Sequence, residues 1–246
     1  MGRFPAMMLW AYHGNLGLPS DWDMTVQALS QTITVHPVSL WENPILPFEQ
    51  WARKETDRLA QLDTPPRFLL GYSLGARLVM HLLLERPELW AGAVFVSGHP
   101  GLEEELHREP RAEREEKWAT LLGKDPIEFL ERWNEQSVFA HDDPREFERQ
   151  LGILDLHRAA IVEAFRTWSL SSQEQLRPPL ISCRVPQLWV AGEFDLKFRE
   201  LAQNVVRESP SAKMAVVPEA GHRIPLQKPV ALAGCIRDFL ESRSLG

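Results

Sequence analysis

The 246-residue sequence predicts an α/β fold, a mostly parallel sheet flanked by helices and carrying an inserted helical cap. Three observations lead there. Short apolar runs alternate with helical patterns over residues 6–101 and again over 186–240, and strands buried on both faces of a parallel sheet read as continuous apolar runs. At Gly71-Tyr72-Ser73-Leu74-Gly75 an apolar run gives way to a helical pattern at the serine, which is strand, sharp turn, helix. From about Leu102 to Leu176 the alternation stops in a charged, helix-prone segment punctuated by Pro110, Pro126 and Pro144. We assign residues 1–101 and 177–246 to the core and 102–176 to the cap.

In chain order, the first strand covers about residues 6–12 and runs into His13-Gly14-Asn15-Leu16-Gly17. Pro19-Ser20-Asp21-Trp22 reads as a helix start, with Trp22, Val26 and Leu29 at helical spacing through about Ser30. Ile33 to Val38 forms the second strand, followed by a proline-rich loop to Pro44 and a helix from Phe48 to Leu62. Pro65-Pro66 marks the turn before the strand that carries the glycine-flanked serine, and the helix beyond it ends near Arg86-Pro87. Ala91 to Val96 is the next strand, closed by Ser97-Gly98-His99-Pro100-Gly101. In the cap, Glu103 to Glu105 and Arg111 to Lys117 read as solvated helical faces. Its aromatics Trp118, Phe129, Trp133, Phe139, Phe165 and Trp168 should pack the cap onto itself and the sheet, with one or two facing a pocket. The sheet resumes at Pro186 to Gly192, followed by Glu193-Phe194-Asp195, a helix at Lys197 to Glu208 and a strand at Ala212 to Val217. Ala220-Gly221-His222 leads into a last helix, Pro229 to Leu240.

Composition narrows the classes of function. A hydrophobic content of 44% and a charged content of 25% suit a soluble globular chain, and no apolar run approaches the roughly 18 residues a membrane span needs. Met1 to Pro5 passes directly into strand, without a leader pattern, so a cytoplasmic location is expected. The net charge of −7 argues against nucleic-acid and anionic-membrane partners. An anionic ligand would therefore depend on local arginines. Cys183 and Cys235 lack metal-ligand spacing, and both are expected to be reduced.

A serine hydroxyl is a poor nucleophile or base at neutral pH unless an imidazole takes its proton and a carboxylate fixes the tautomer of that imidazole. Ser73, Asp195 and His222 each follow a strand, in the order Ser, Asp, His. Asp195 has an ordinary alternative as a helix cap, and Glu193 is a rival carboxylate. His99 also follows a strand and is the reserve for His222, while His13 is expected to structure its loop. The amides of Leu74, at a helix start, and Asn15, in the His-Gly loop, are the expected oxyanion donors.

This layout resembles the α/β-hydrolase superfamily over nearly the full length. A narrower likeness rests on Gly71 to Arg77, Gly98 to Leu102, Arg111 to Arg114, Trp133 before Ser137-Val138-Phe139-Ala140, Gly192 to Phe198 and Ala220-Gly221-His222. Together these resemble the 2-succinyl-6-hydroxy-2,4-cyclohexadiene-1-carboxylate (SHCHC) synthase family of menaquinone biosynthesis. The resemblance implies an α/β-hydrolase fold and a lyase that needs no cofactor or metal, acting on a small anionic molecule. It also implies that Arg77, Arg114, Tyr72 and Trp133 bind substrate. Otherwise Arg77 would be a partly exposed helix arginine, Arg114 a surface ion pair and the two aromatics core residues. The alternative activity is a serine carboxylesterase or thioesterase with an acyl-enzyme.

Three departures from the family pattern stand out. The His36-Pro37 to Pro44 segment replaces a Pro-Gly-His-Gly type loop, so the floor of the pocket is expected to differ. A third cap arginine has two competing counterparts, Arg149 and Arg158. The initial hairpin of relatives is missing, which predicts about six strands and an exposed edge where a second copy could form a homo-oligomer.

Overall fold

The computed structural model describes residues 7–29, 33–62, 67–141 and 146–244. The expectations for Met1 to Pro5, Ser30, the Pro65-Pro66 turn and Pro144 lie outside these residues. The strands are β1 Met7–Tyr12, β2 Ile33–Val38, β3 Arg67–Tyr72, β4 Gly92–Val96, β5 Gln187–Gly192 and β6 Ala212–Val217. They form one six-stranded sheet in the order β2-β1-β3-β4-β5-β6, and every pair is parallel. Among the described residues β2 and β6 are its edges. The helices are α1 Asp23–Ala28, α2 Phe48–Ala60, α3 Leu74–Glu85, α4 Arg108–Lys124, α5 Pro126–Asn134, α6 Glu146–Thr167, α7 Arg177–Ser182, α8 Leu196–Val206, α9 Ile224–Gln227 and α10 Pro229–Ser244. None of these is long and apolar enough to cross a membrane.

The two-residue period of the strands divides the core. In β3, Phe68, Leu70 and Tyr72 join Leu9, Val94, Val190 and the apolar face of α10 on one side of the sheet. That face of α10 carries Leu232, Ala233, Ile236, Phe239 and Leu240, the spacing of a single buried stripe. On the other side Leu69, Phe95 and Trp189 pack with α2, α3 and α8. The helix after the serine is buried from Leu74 to Leu83, on every face, because α2 packs against it on the side away from the sheet.

Two boundaries differ from expectation. The first helical segment is a short 3-10 turn, Pro19–Trp22, continued by α1, and Leu29 is already extended. Trp22 is buried against the α10 side. The chain also forms α7 before β5, where the prolines at 178 and 179 sit in the first turn and lose no internal helix bond.

Between β4 and β5 the chain inserts α4, α5, α6 and α7. Asp125 joins the first two, its carboxylate accepting the Ile127 and Glu128 amides at the start of α5. Leu122, Phe129, Leu130, Ile153, Leu154, Phe165 and Trp168 of this insertion belong to the same apolar cluster as Trp51 and Leu78 beneath them. The insertion has no separate core.

Strand order reverses direction between β1 and β3, and the crevice at such a switch point opens at the carboxyl ends of the strands. Backbone there is unusually close. A methyl group on Gly75 would overlap the carbonyls of Tyr12 and His13, and one on Gly71 would overlap Gly75 itself. Gly75→Ala is therefore expected to lower stability by at least about 2 kcal/mol in urea unfolding; an unchanged midpoint would show that β1 and α3 separate at no cost.

Candidate active site

Ser73 closes β3 and opens α3 with φ 52° and ψ −109°. This is left-handed backbone that a residue with a Cβ adopts only under local constraint. The constraint is visible. Its amide donates to the Val96 carbonyl at 2.9 Å, and the tight glycine contacts hold the turn from both sides. The same turn presents the Leu74 amide at the helix start.

The carboxyl ends of β5 and β6 supply the other partners. His222 Nε2 lies 3.1 Å from Ser73 Oγ, and its Nδ1 lies 2.8 Å from Asp195 Oδ2. Since a carboxylate only accepts, the imidazole carries its proton on Nδ1 and turns an accepting Nε2 to the serine hydroxyl. Asp195 makes no capping bond to α8, so its ordinary alternative fails. Glu193 instead accepts the Glu219 amide, in an exposed position. The Ser97 hydroxyl donates to Asp195 Oδ2 at 3.0 Å. Tyr72 and Phe198 close on the His222 ring at 5.6 and 4.5 Å between centroids.

His13 is buried and structural, as expected. Its Nε2 accepts the Leu40 amide at 3.0 Å, which requires the proton on Nδ1, where it donates to the Gly14 carbonyl at 2.9 Å. Trp41 adds a bond from Nε1 to the Gly17 carbonyl. The 36–44 segment thus braces the loop that carries Asn15 from behind. Among the described residues none of that segment lines the cleft, so the expected change of pocket floor is instead a change in the layer beneath it.

The cleft above the serine encloses about 220 Å³. Ser73, Leu74, Asn15, Tyr72 and His222 lie on its sheet side, and Trp118, Trp133, Phe139 and Phe165 form an aromatic wall from the cap. That wall has four rings, where one or two were expected, because Phe129 stacks behind Trp133 and edges onto Trp118 and Phe165, turning all three toward the opening.

Among the described residues five cations line the cleft: Arg77, Arg111, Arg114, Lys197 and Arg223. Arg77 is buried, donating from Nε to Gln173 Oε1 at 2.5 Å and from Nη2 to the Trp168 carbonyl at 2.9 Å. Its partners are neutral. Burial lowers its pKa to about 9, so it stays charged at neutral pH. Arg114 is exposed and donates to Gln136, not to a glutamate.

Sequence reasoning missed Arg111, Arg223, Glu115 and Ser97. The 111–117 stretch is no simple solvated face, since Glu115 is buried and binds Arg111, the Ser169 hydroxyl and the Leu170 amide. The signal was present, because 111, 115 and 118 share one helical face with a tryptophan. Neither candidate for the third arginine reaches the cleft. Arg149 pairs with Asp21 and Glu146, which ties α6 to the 3-10 turn before α1, and Arg158 is exposed elsewhere on α6.

The alpha/beta hydrolase family pattern matches residues 9–234. The chain belongs to the alpha/beta hydrolase family. Within this family it is 31% identical over 198 residues to the 2-succinyl-6-hydroxy-2,4-cyclohexadiene-1-carboxylate synthase of Enterobacter sp. (strain 638), an alignment covering 80% of this chain and 75% of that protein. Its identity to the protein of the same name from Klebsiella pneumoniae (strain 342) is 30%, over 71% and 68% of the two chains. MenH from S. aureus superposes with a TM-score of 0.87 at 21% identity, covering 97% and 95% of the chains. A thermophilic esterase from Thermogutta terrifontis superposes with a TM-score of 0.76 at 18% identity, over 98% and 91%. These two superpositions establish the alpha/beta hydrolase fold.

Burial lowers the His13 pKa from 6.5 to about 4. The unfolded chain therefore takes up a proton that the folded chain refuses, and the stability His13 provides is complete above about pH 6.5 and is lost as pH falls toward 4. The loss should approach about 3 kcal/mol in urea unfolding as a function of pH. His13→Gln should remove that part of the slope, and an identical slope would assign the acid sensitivity elsewhere.

Proposed function

We propose that the chain is an SHCHC synthase-like lyase, which eliminates pyruvate from 2-succinyl-5-enolpyruvyl-6-hydroxy-3-cyclohexene-1-carboxylate. The observation that carries this reading is a serine-histidine-aspartate relay at the base of a cleft ringed by cations, with Arg77 one helical turn beyond Ser73. The names of the relatives from Enterobacter and Klebsiella support it. A substrate with several carboxylates needs charge partners inside a chain of net charge −7, and guanidinium groups supply them in two-point fashion.

In this reading His222 Nε2 takes the Ser73 proton, and the serine oxygen removes a proton from a ring carbon of the substrate. The electron pair moves through the ring, forms the new double bond and expels the enolpyruvyl oxygen. The proton held by the relay returns to the departing enolate, which leaves as pyruvate, so the step needs no net acid, base or oxidant. Asp195 stabilises the imidazolium while it lasts. The Leu74 and Asn15 amides face the enolate-like charge that develops on the substrate. The 102–176 segment acts as the cap that excludes water over this chemistry.

A serine carboxylesterase or thioesterase would use the same relay with an acyl-enzyme, and the four-ring aromatic wall is the feature that favours it. The two readings divide on substrate charge. With freshly prepared enolpyruvyl substrate, wild-type protein is expected to release pyruvate. No release above background, with brisk cleavage of short p-nitrophenyl esters, would replace the lyase by the esterase. Ser73→Ala should lower turnover by at least about a thousandfold in either case, and an unaffected rate would remove Ser73 from the chemistry. Arg77→Ala should cost roughly 10- to 100-fold in kcat/KM on the anionic substrate, the worth of a charged hydrogen bond, and an unchanged value would show that Arg77 does not bind it.

A further inference from the structure

His99 follows β4 and lines the cleft, yet it takes no part in the relay. Its backbone is fixed from several directions. The Gln173 side-chain amide donates to the His99 carbonyl at 3.0 Å while Gln173 Oε1 holds Arg77, and the Pro100 carbonyl accepts the Leu176 amide. A methyl group on the preceding Gly98 would come within 2.7 Å of Met80 Cε, and one on Gly101, at φ 114°, would overlap the Glu174 carbonyl. The ring is fixed as well, set edge-on to Phe198 at 6.3 Å.

One bond decides its protonation. The Gly101 amide donates to His99 Nδ1 at 3.2 Å, and a nitrogen that accepts an N–H carries no proton of its own. The proton of the neutral ring is therefore on Nε2. With Nδ1 turned back onto the loop, the opposite edge of the ring is the one presented to the cleft. Arg77 from α3, Arg111 from α4 and Lys197 from α8 act on this ring, and their charges add to burial in holding its pKa well below 6.5.

We infer that His99 is a substrate-binding residue, whose Nε2–H donates a hydrogen bond to a carboxylate or carbonyl oxygen of the ligand in the cleft. This rests on the reading of the cleft as a site for an anionic substrate. His99 is then no second base. It adds a further directional donor beside the guanidinium groups, and a neutral imidazole polarising an oxygen is an established device in enzyme sites.

Two substitutions separate the two edges of the ring. In His99→Asn the amide oxygen replaces Nδ1 and keeps the Gly101 bond, but the distal donor is gone. In His99→Gln the longer amide restores a donor near the position of Nε2. Asparagine is expected to raise KM for the enolpyruvyl substrate roughly 10- to 100-fold, with kcat changed much less, and glutamine to recover most of that loss. Equal KM values for wild type and His99→Asn would overturn the assignment. NMR of ¹⁵N-histidine-labelled wild type at neutral pH should show His99 protonated on Nε2 and not on Nδ1, and its Nε2–H resonance should move on addition of succinate. The opposite tautomer or an unmoved resonance at saturating succinate would each overturn it. If wild type releases no pyruvate, the lyase reading fails, and the succinate response still judges the donor.

Discussion

The backbone at Ser73 is the constraint from which the site follows. A non-glycine residue in left-handed geometry costs on the order of 1–3 kcal/mol, and such a cost persists only where surrounding structure over-determines it. Here the surroundings are the central strands of a parallel sheet and a helix buried on all sides. Gly71 and Gly75 let β3, α3 and the end of β1 approach at backbone distance. The same approach places Asn15, Ser73 and Leu74 together along the cleft. If that contact loosened, the hydroxyl, its imidazole partner and the amides would lose register together.

Electrostatics forms a second layer on that frame. The chain carries a formal charge of −7, yet among the described residues five cationic side chains line its cleft. Buried charge is tolerated when hydrogen-bonded, and buried Arg77 has neutral partners in Gln173 and the Trp168 carbonyl, while exposed Arg114 donates to Gln136. Glu115 is the buried carboxylate among them, engaged by Arg111 and by Ser169. Neutral partners leave Arg77 and Arg114 without a hydrogen-bonded counter-ion. Beyond the roughly 8 Å screening length the net charge acts only weakly on an ion, and the side chains of the cleft dominate at close range.

The sequence disclosed the parts of the fold that depend on local pattern. Strands buried on both faces gave unbroken apolar runs, and the glycines around Ser73 announced a turn that few other residues permit. Chain order then pointed to Asp195 and His222, which the fold brings within hydrogen-bonding distance of each other and, through His222, of Ser73. What stayed hidden depends on which face of a cap helix turns inward. Arg111 and Glu115 look like solvated charge in a stretch dense with charge, and only the packing of Trp118 and Phe129 rotates them toward the sheet. Arg149 illustrates the opposite error, since it has the position expected of a ligand residue but is engaged by Asp21, far earlier in the chain. Ser97 could not be distinguished from any other loop serine until the strand end beside it brought it within 3.0 Å of Asp195.

The insertion between β4 and β5 shares its apolar interior with the layer beneath it, where Trp168 meets Trp51 edge to face and donates from Nε1 to the Leu46 carbonyl. A roof built this way is not a module. Swapping it for that of a relative would leave half-matched side chains on α2 and α3, so altered selectivity by recombination would require the underlying helices to be exchanged as well. Evolution of new substrates on this scaffold is correspondingly channelled toward point changes along the mouth.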